Sequence, residues 1–106
     1  MRTVKVAEFT KFPGPRYSKL GSYSGEEFRD KYLIPAMAHG AEDLVVDLDG
    51  VFGFGSSFLE EAFGGLVRKG LPEKQILFII KNLKSDDDPS LLREIEGYVK
   101  AQLEND

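Results

Sequence analysis

The chain has 106 residues, with 14 Lys and Arg against 18 Asp and Glu for a formal charge of −4 at pH 7, and 42% of it is hydrophobic. That length and balance fit a single domain over residues 1–106 with one core, and the absence of cysteine excludes disulfides, thiolate metal sites and thiol chemistry. A mildly acidic chain is a poor match for phosphate backbones, which need clustered cations, and no apolar run approaches the roughly 20 residues of a membrane span.

At the start, "MRTVKVAEFT" has no apolar central region of the signal-peptide kind. Together with the missing cysteines this leads to the expectation of a cytoplasmic protein with no membrane or nucleic-acid partner. Within that start, "TVKVAEF" alternates residue types and predicts a half-buried strand. The following "TKFPGPRYSKLGSYSG" is dense in Pro, Gly and Ser and predicts a loop or a short irregular hairpin. Ser24 opens a helix, with Glu27 three residues on in the spacing of a capping box. Phe28, Tyr32, Ala36 and His39 recur at helical spacing, Pro35 should kink the run or end its first part near Leu33, and Gly40 is a natural stop.

"DLVVDLD" predicts an interior strand. After a glycine-rich loop, Ser57 and Glu60 make a second capping-box spacing and predict a second helix. "QILFII" is short and continuously apolar, the pattern of a strand covered on both faces. Asp88-Pro89 then opens a last helix, with Leu91, Leu92, Ile95, Tyr98, Val99 and Leu103 as its apolar stripe. The order strand, loop, helix, strand, helix, strand, helix predicts an α/β domain with a mixed, mostly parallel sheet and helices packed on it.

The stretch "GVFGFGSSFLEEAFGGLV" carries five glycines around one amphipathic run. Glycine inside a helix costs about 1 kcal/mol relative to alanine, so Gly64 and Gly65 need a reason. At 100° per residue, Phe58, Leu59, Ala62, Phe63, Leu66 and Val67 share a broad inward face. Ser57, Glu61, Gly64 and Arg68 fall on the opposite line, expected to face solvent and let a partner approach closely over Gly64. The plainer alternative is that the two glycines end a short helix or let a loop cross. Ser57 reads first as an N-cap, which leaves Ser56 exposed at the helix mouth, where free N–H groups favour a phosphate.

The blocks "LVVDLDGVFGFGSSFLEEAFGGL" and "RY…G.YSGEEFR" resemble the STAS-like family of unknown function, small proteins related to anti-sigma-factor antagonists. The resemblance implies a STAS-like fold and a non-catalytic regulatory role. It also implies a protein partner of the histidine-kinase-like ATPase type, bound through Gly53, Phe54, Gly55, Ser56 and Ser57 and the second helix with Glu61, Gly64 and Arg68. Phosphorylation of a serine would be the switch, with Ser56 at the phosphoacceptor place and Ser57 beside it. Two departures bear on that switch: Gly55 stands where an Asp precedes the serine in the antagonists, and Phe58 where a glycine follows the pair.

Catalytic readings find little support. "GFGSS" is not a G-x-S-x-G elbow, no Lys follows the glycines as in a P-loop, and His39, the one histidine, reads as a helix-end or core-edge residue. Asp47 and Asp49 lack a third oxygen ligand for Mg²⁺, and Asp49 is expected to accept hydrogen bonds from the loop it precedes. Arg16 and Arg29 are expected to pair with acids or to anchor the proline-rich loop, and surface pairs of this sort contribute less than about 1 kcal/mol each. The expectation is a protein that is not an enzyme, with no cofactor and no metal. A small-molecule or phosphate/nucleotide sensor using the glycine-rich loop and the helix N-terminus is the alternative, and a homo-oligomer using the glycine line is a third arrangement.

Overall fold

The computed structural model describes residues 2–105. Three strands form one sheet in the order β1-β2-β3: β1 is Arg2–Lys5, β2 is Leu44–Asp47 and β3 is Leu83–Lys84. Both pairings are parallel, with Arg2 opposite Leu44, Lys5 opposite Asp47 and Val46 opposite Leu83. The expected mixed sheet is therefore wholly parallel among the described residues. β2 is the central strand and buries Leu44 and Val46, with Leu48 just beyond them.

The first strand is shorter than its alternation suggests, since Val6–Phe9 turns into the helical α1. Val6 and Phe9 are both buried, three residues apart, which a helical turn places on one side. Residues 10–24 form the expected loop, with a 3₁₀ turn at Ser18–Leu20. This loop lies across the start of α2, which spans residues 25–37 in three consecutive pieces: Gly25–Phe28, a π-helical Arg29–Leu33, and Ile34–Met37. The Ser24 hydroxyl accepts the Glu27 N–H at 2.9 Å, as the capping spacing predicts. The carbonyls of Pro15 and Arg16 take the N–H groups of Gly25 and Glu26.

Pro35 does not break α2. The turn before it widens, so that the Ile34 N–H reaches the Arg29 carbonyl five residues back. Proline lacks an N–H and crowds the carbonyl four residues earlier, and a π turn relieves both problems. The widened turn also moves the apolar line. Phe28, Leu33 and Met37 are buried, while Tyr32 and His39 of the expected line are exposed.

The second helix, α3, spans residues 56–68 as Ser56–Leu59, a π-helical Glu60–Gly64 and Gly65–Arg68. All six residues predicted for its inward face are buried. Its N-cap is Gly55, and no side chain caps it. Ser57 thus sits inside the first turn, and the expected Ser57–Glu60 capping box does not form.

"QILFII" is not a strand. It lies in α4, Glu73–Lys81, which follows Pro72. Ile76 and Ile79 are buried at helical spacing, while Leu77 is 44% exposed. A short apolar run fits a buried strand and a helix equally, and the flanking "EK" and "K" extend this one to helical length. The third strand is instead the two residues after it, Leu83–Lys84. The last helix, α5, is Ser90–Asn105, with Leu91, Ile95 and Val99 buried as expected. α3 packs against α2 and α5, and α4 packs against β2.

A helix and a strand make opposite demands on Leu77. Leu77→Lys should leave stability within about 0.5 kcal/mol of the parent, as an exposed helical site does. Ile79→Ala should cost about 2–5 kcal/mol. Urea denaturation of the two variants measures the contrast, and a strand covered on both faces would make Leu77→Lys severely destabilising.

Candidate functional site

The packing of α2 on α3 places an ion pair inside the molecule. The Arg29 guanidinium donates to Glu61 Oε2 and, at 3.2 Å, to the Glu61 carbonyl. Their side chains are only 4% and 6% exposed. Arg29 Nε also donates to Asp30 at 2.8 Å. Around this pair, Arg16 of the 10–24 loop donates to Glu60 and Glu61. Arg68 reaches back along α3 to donate to both oxygens of Glu60, at 2.8 and 2.9 Å, and to Glu61 at 3.0 Å.

Gly64 and Gly65 are explained by this cluster. A Cβ at Gly65 would collide with Arg29 Nη1 and lie 3.2 Å from Glu61 Oε2. A Cβ at Gly64 would collide with Glu60 Oε2 and touch Gln102 Cγ of α5 at 3.5 Å. The two missing side chains make room for the charged groups of the chain itself. The outward line expected from 100° spacing is absent, because Glu61 and Gly64 are buried between α2 and α5. Only Ser57 and Arg68 of that line are exposed, and Arg68 is tied to Glu60. Arg16 and Arg29 do pair with acids, as expected, but not as surface pairs: Arg29 is buried, and Arg16, 29% exposed, joins the 10–24 loop to Glu60 and Glu61 of α3.

The loop into α3 is held where it leaves β2. Asp49 accepts the Asp87 N–H at 2.8 Å and Lys84 Nζ at 3.0 Å, while Asp87 accepts the Gly50 N–H at 3.0 Å. Asp49 therefore bonds the β3–α5 connection rather than the loop it precedes. The Asp87 N–H first, and then Lys84, hold its carboxyl below the ordinary aspartate range. Among the described residues no group of three or more His, Asp or Glu is placed to hold a metal ion.

From this clamp the chain runs outward. Phe52 is 77% exposed and stacks on Phe12, itself 69% exposed, with ring centroids 4.8 Å apart and planes within 2° of parallel. The Phe52 N–H donates to the Lys11 carbonyl at 2.9 Å, which joins the two loops. Gly53, Gly55, Ser56 and Ser57 are exposed, and Phe54 is half-buried against Phe58. The first hydrogen bond of α3 runs from the Leu59 N–H to the Gly55 carbonyl, so the N–H groups of residues 56–58 have no partner within the helix; Ser56 and Ser57 are exposed, whereas Phe58 is fully buried. Beside this mouth lies a cleft of about 180 Å³, with Leu48, Phe54 and Leu91 in its wall and Asp87, Asp88 and Glu94 among its lining residues. Glu94 accepts the Tyr98 hydroxyl at 2.6 Å, and that hydrogen bond is the main cause that pushes Tyr98 up to about 12.

The structure thus brings Gly53 to Ser57 together on one surface and removes Glu61 and Gly64 from it. Sequence reasoning missed Phe12 and Phe52 as an exposed pair and Arg29 as a buried cation. Phe12 was visible as an aromatic in a Pro- and Gly-rich loop, which has no helical or strand face to bury it.

Comparison with known families adds one match. A family model described as a STAS-like domain of unknown function matches residues 24–88. It spans α2, β2, α3, α4 and β3, and so takes in Arg29, Glu60, Glu61, Gly64, Gly65 and Arg68, while Arg16 lies before it. No curated protein and no solved structure matches the chain.

Breaking a buried ion pair by removing one partner costs about 3–5 kcal/mol. Arg29→Ala and Glu61→Ala should each lose that much in chemical denaturation, and Arg29→Met with Glu61→Leu should recover most of it. Glu60 titrates with the cluster: the Arg68 hydrogen bonds hold its carboxyl below the ordinary glutamate range, burial opposes them and Arg16 adds to them. A depressed carboxyl adds stability that is complete above its unfolded pKa, about 4.3, and that is lost as pH falls through the folded value. Denaturation midpoints measured from pH 7 to pH 3 should therefore fall less steeply on the acid side for Glu60→Gln than for the parent.

Proposed function

The chain belongs to the family of STAS-like domains of unknown function, and from that premise we propose that it is a non-catalytic regulatory module that binds a protein partner. The binding surface is Gly53, Phe54, Gly55, Ser56 and Ser57 together with the stacked Phe12 and Phe52. The observation that carries this reading is that stack. Two phenylalanines exposed by 69% and 77% have little packing role in the domain itself, whereas aromatic side chains of this kind are frequent anchors at the centre of interfaces. Their loops are tied to β2 and to each other, so they are presented in one geometry, and a rigid anchor loses little entropy on binding.

The family resemblance points to a histidine-kinase-like ATPase as the partner. Phosphorylation of a serine at the mouth of α3 would switch the contact, because roughly two negative charges would then stand in the middle of an apolar interface. Gly64 and Glu61 take no part in binding on this reading, and Arg68 serves the ion cluster. A free anion or nucleotide at the same mouth is the weaker candidate, since Asp87, Asp88 and Glu94 border it and repel a negative ligand.

Cross-linked capture with the whole chain, followed by mass spectrometry and titration of the recovered protein, tests the proposal. An ATPase of this type should be recovered, and Phe52→Ala with Phe12→Ala should weaken its binding at least tenfold while thermal stability changes little. Unchanged affinity in that double variant overturns the surface. Heat released on titrating nucleotides into the isolated chain would establish the sensor instead, and a mass that doubles with concentration in light scattering would establish self-association.

A further inference from the structure

A cavity that shares no residue with the α3 mouth lies between the end of α2 and the start of α4. It measures about 420 Å³, within the roughly 300–1,000 Å³ typical of small-molecule sites. Ile34, Met37, Leu71 and Pro72 give it apolar walls, and among the described residues that line it none is charged. Its walls are fixed from both sides. Arg2 of β1 donates to the Ala36 carbonyl at 2.9 Å and also to the Gly40 carbonyl, which holds the end of α2. The Leu71 N–H donates to the Leu66 carbonyl of α3 at 3.1 Å, which holds the approach to α4.

The polar side chain in this lining is Gln75, and its Oε1 is buried with no hydrogen-bond partner. Among the described residues that are not exposed, no other buried side-chain oxygen or nitrogen is left so. Helix-start chemistry does not account for the amide. Gln75 stands three residues after Pro72, the N-cap of α4, where a glutamine ordinarily accepts the N-cap N–H. Proline has no N–H to donate. An acceptor withheld from water that serves no neighbour has an unmet demand. The last torsion of glutamine is soft, so the oxygen can turn to face the cavity.

We propose that this cavity binds a small neutral molecule with an aliphatic body and one hydrogen-bond donor, a hydroxyl or an amide N–H, which Gln75 Oε1 accepts. The uncharged lining disfavours an ion, which would lose hydration there without gaining a counter-charge. The apolar walls take the aliphatic body and the amide sets its orientation, the division of labour common to such sites. An apolar side chain of a protein partner would fill the walls but leave Oε1 unpaired, so a donor-bearing ligand fits better. The site is separate from the protein-binding surface at the α3 mouth, and neither reading rests on the other.

Titration of the whole chain with 1-hexanol and with its isomer 1-methoxypentane, followed by ¹H–¹⁵N NMR, tests the proposal, because the ether has the same atoms but no donor. 1-Hexanol should give saturable shifts at residues 34–40 and 71–76 and should bind at least about fivefold tighter than the ether. In Gln75→Leu the two should bind equally. That variant should melt no lower than the parent, since hydrocarbon replaces an unpaired acceptor, and a lower melting temperature overturns the role given to Gln75. Ala38→Trp, at an exposed position on the rim, should abolish binding of both probes. No saturable shift with 1-hexanol, equal affinities in the parent, or a preference for the alcohol that survives Gln75→Leu overturns the proposal. So does self-association that Ala38→Trp abolishes, which would assign the cavity to a second copy of the chain. If Gln75→Leu does not fold, the two probes in the parent and in Ala38→Trp still decide.

Discussion

The buried contact between Arg29 and Glu61 is the constraint on which the helical half of the molecule depends. Two charges removed from water cost several kcal/mol each unless they are paired and their remaining donors and acceptors are used. Every nearby feature serves that end. Gly65 leaves the space the guanidinium occupies, Asp30 and the Glu61 carbonyl take further donors, and Arg16 and Arg68 cover the outer oxygens. Both members of the pair lie within π-helical turns, Arg29 in α2 and Glu61 in α3. A fully apolar seam would hold two helices together with fewer requirements. This one fixes a single alignment of α2 on α3, because a shift of one residue would bury a charge without its partner.

That arrangement also confines where α3 can meet anything else. α3 is enclosed by α2 on one side and α5 on the other, so it offers the solvent only its two ends. The C-terminal end holds Arg68, already committed to Glu60. The N-terminal end holds Gly53 to Ser57 and, beside them, the Phe12–Phe52 stack. Asp49 and Asp87 anchor this mouth to the end of the central strand, so its position is set by the sheet rather than by the loop.

Much of the fold was legible in the sequence. The strand β2, the helix cap at Ser24, the inward face of α3 and the apolar stripe of α5 follow from periodicity and capping chemistry, and the family resemblance of "SSFLEEAFGGL" agrees with the family model. The errors have a common source. Patterns were projected at 100° per residue, and a π turn adds one residue to a helix. In α2 this carries Tyr32 and His39 off the buried line and puts Leu33 on it. In α3 the inward face survives, but Glu61 and Gly64 were placed outside because the projection shows one partner surface for a helix that has two. "QILFII" failed for a different reason, since six apolar residues fit a strand or a helix until the flanking residues are counted. Of the candidate surface, Gly53 to Ser57 was legible from glycine and helix-start chemistry. The Phe12–Phe52 stack joins residues forty positions apart and has no local signature.

The loop of residues 10–24 has a further consequence through its backbone. Pro15 and Arg16 provide the carbonyls that the first N–H groups of α2 would otherwise lack, and Ser18 shares a hydroxyl contact with the Ser24 cap. The start of α2 is therefore completed by a segment with few buried side chains of its own. Local opening free energies follow contact density, so lifting this segment bares the Gly25 and Glu26 amides while the rest of α2 stays wound. In amide exchange Gly25 and Glu26 should therefore follow the opening of the segment that holds Pro15 and Arg16 rather than that of the helix interior.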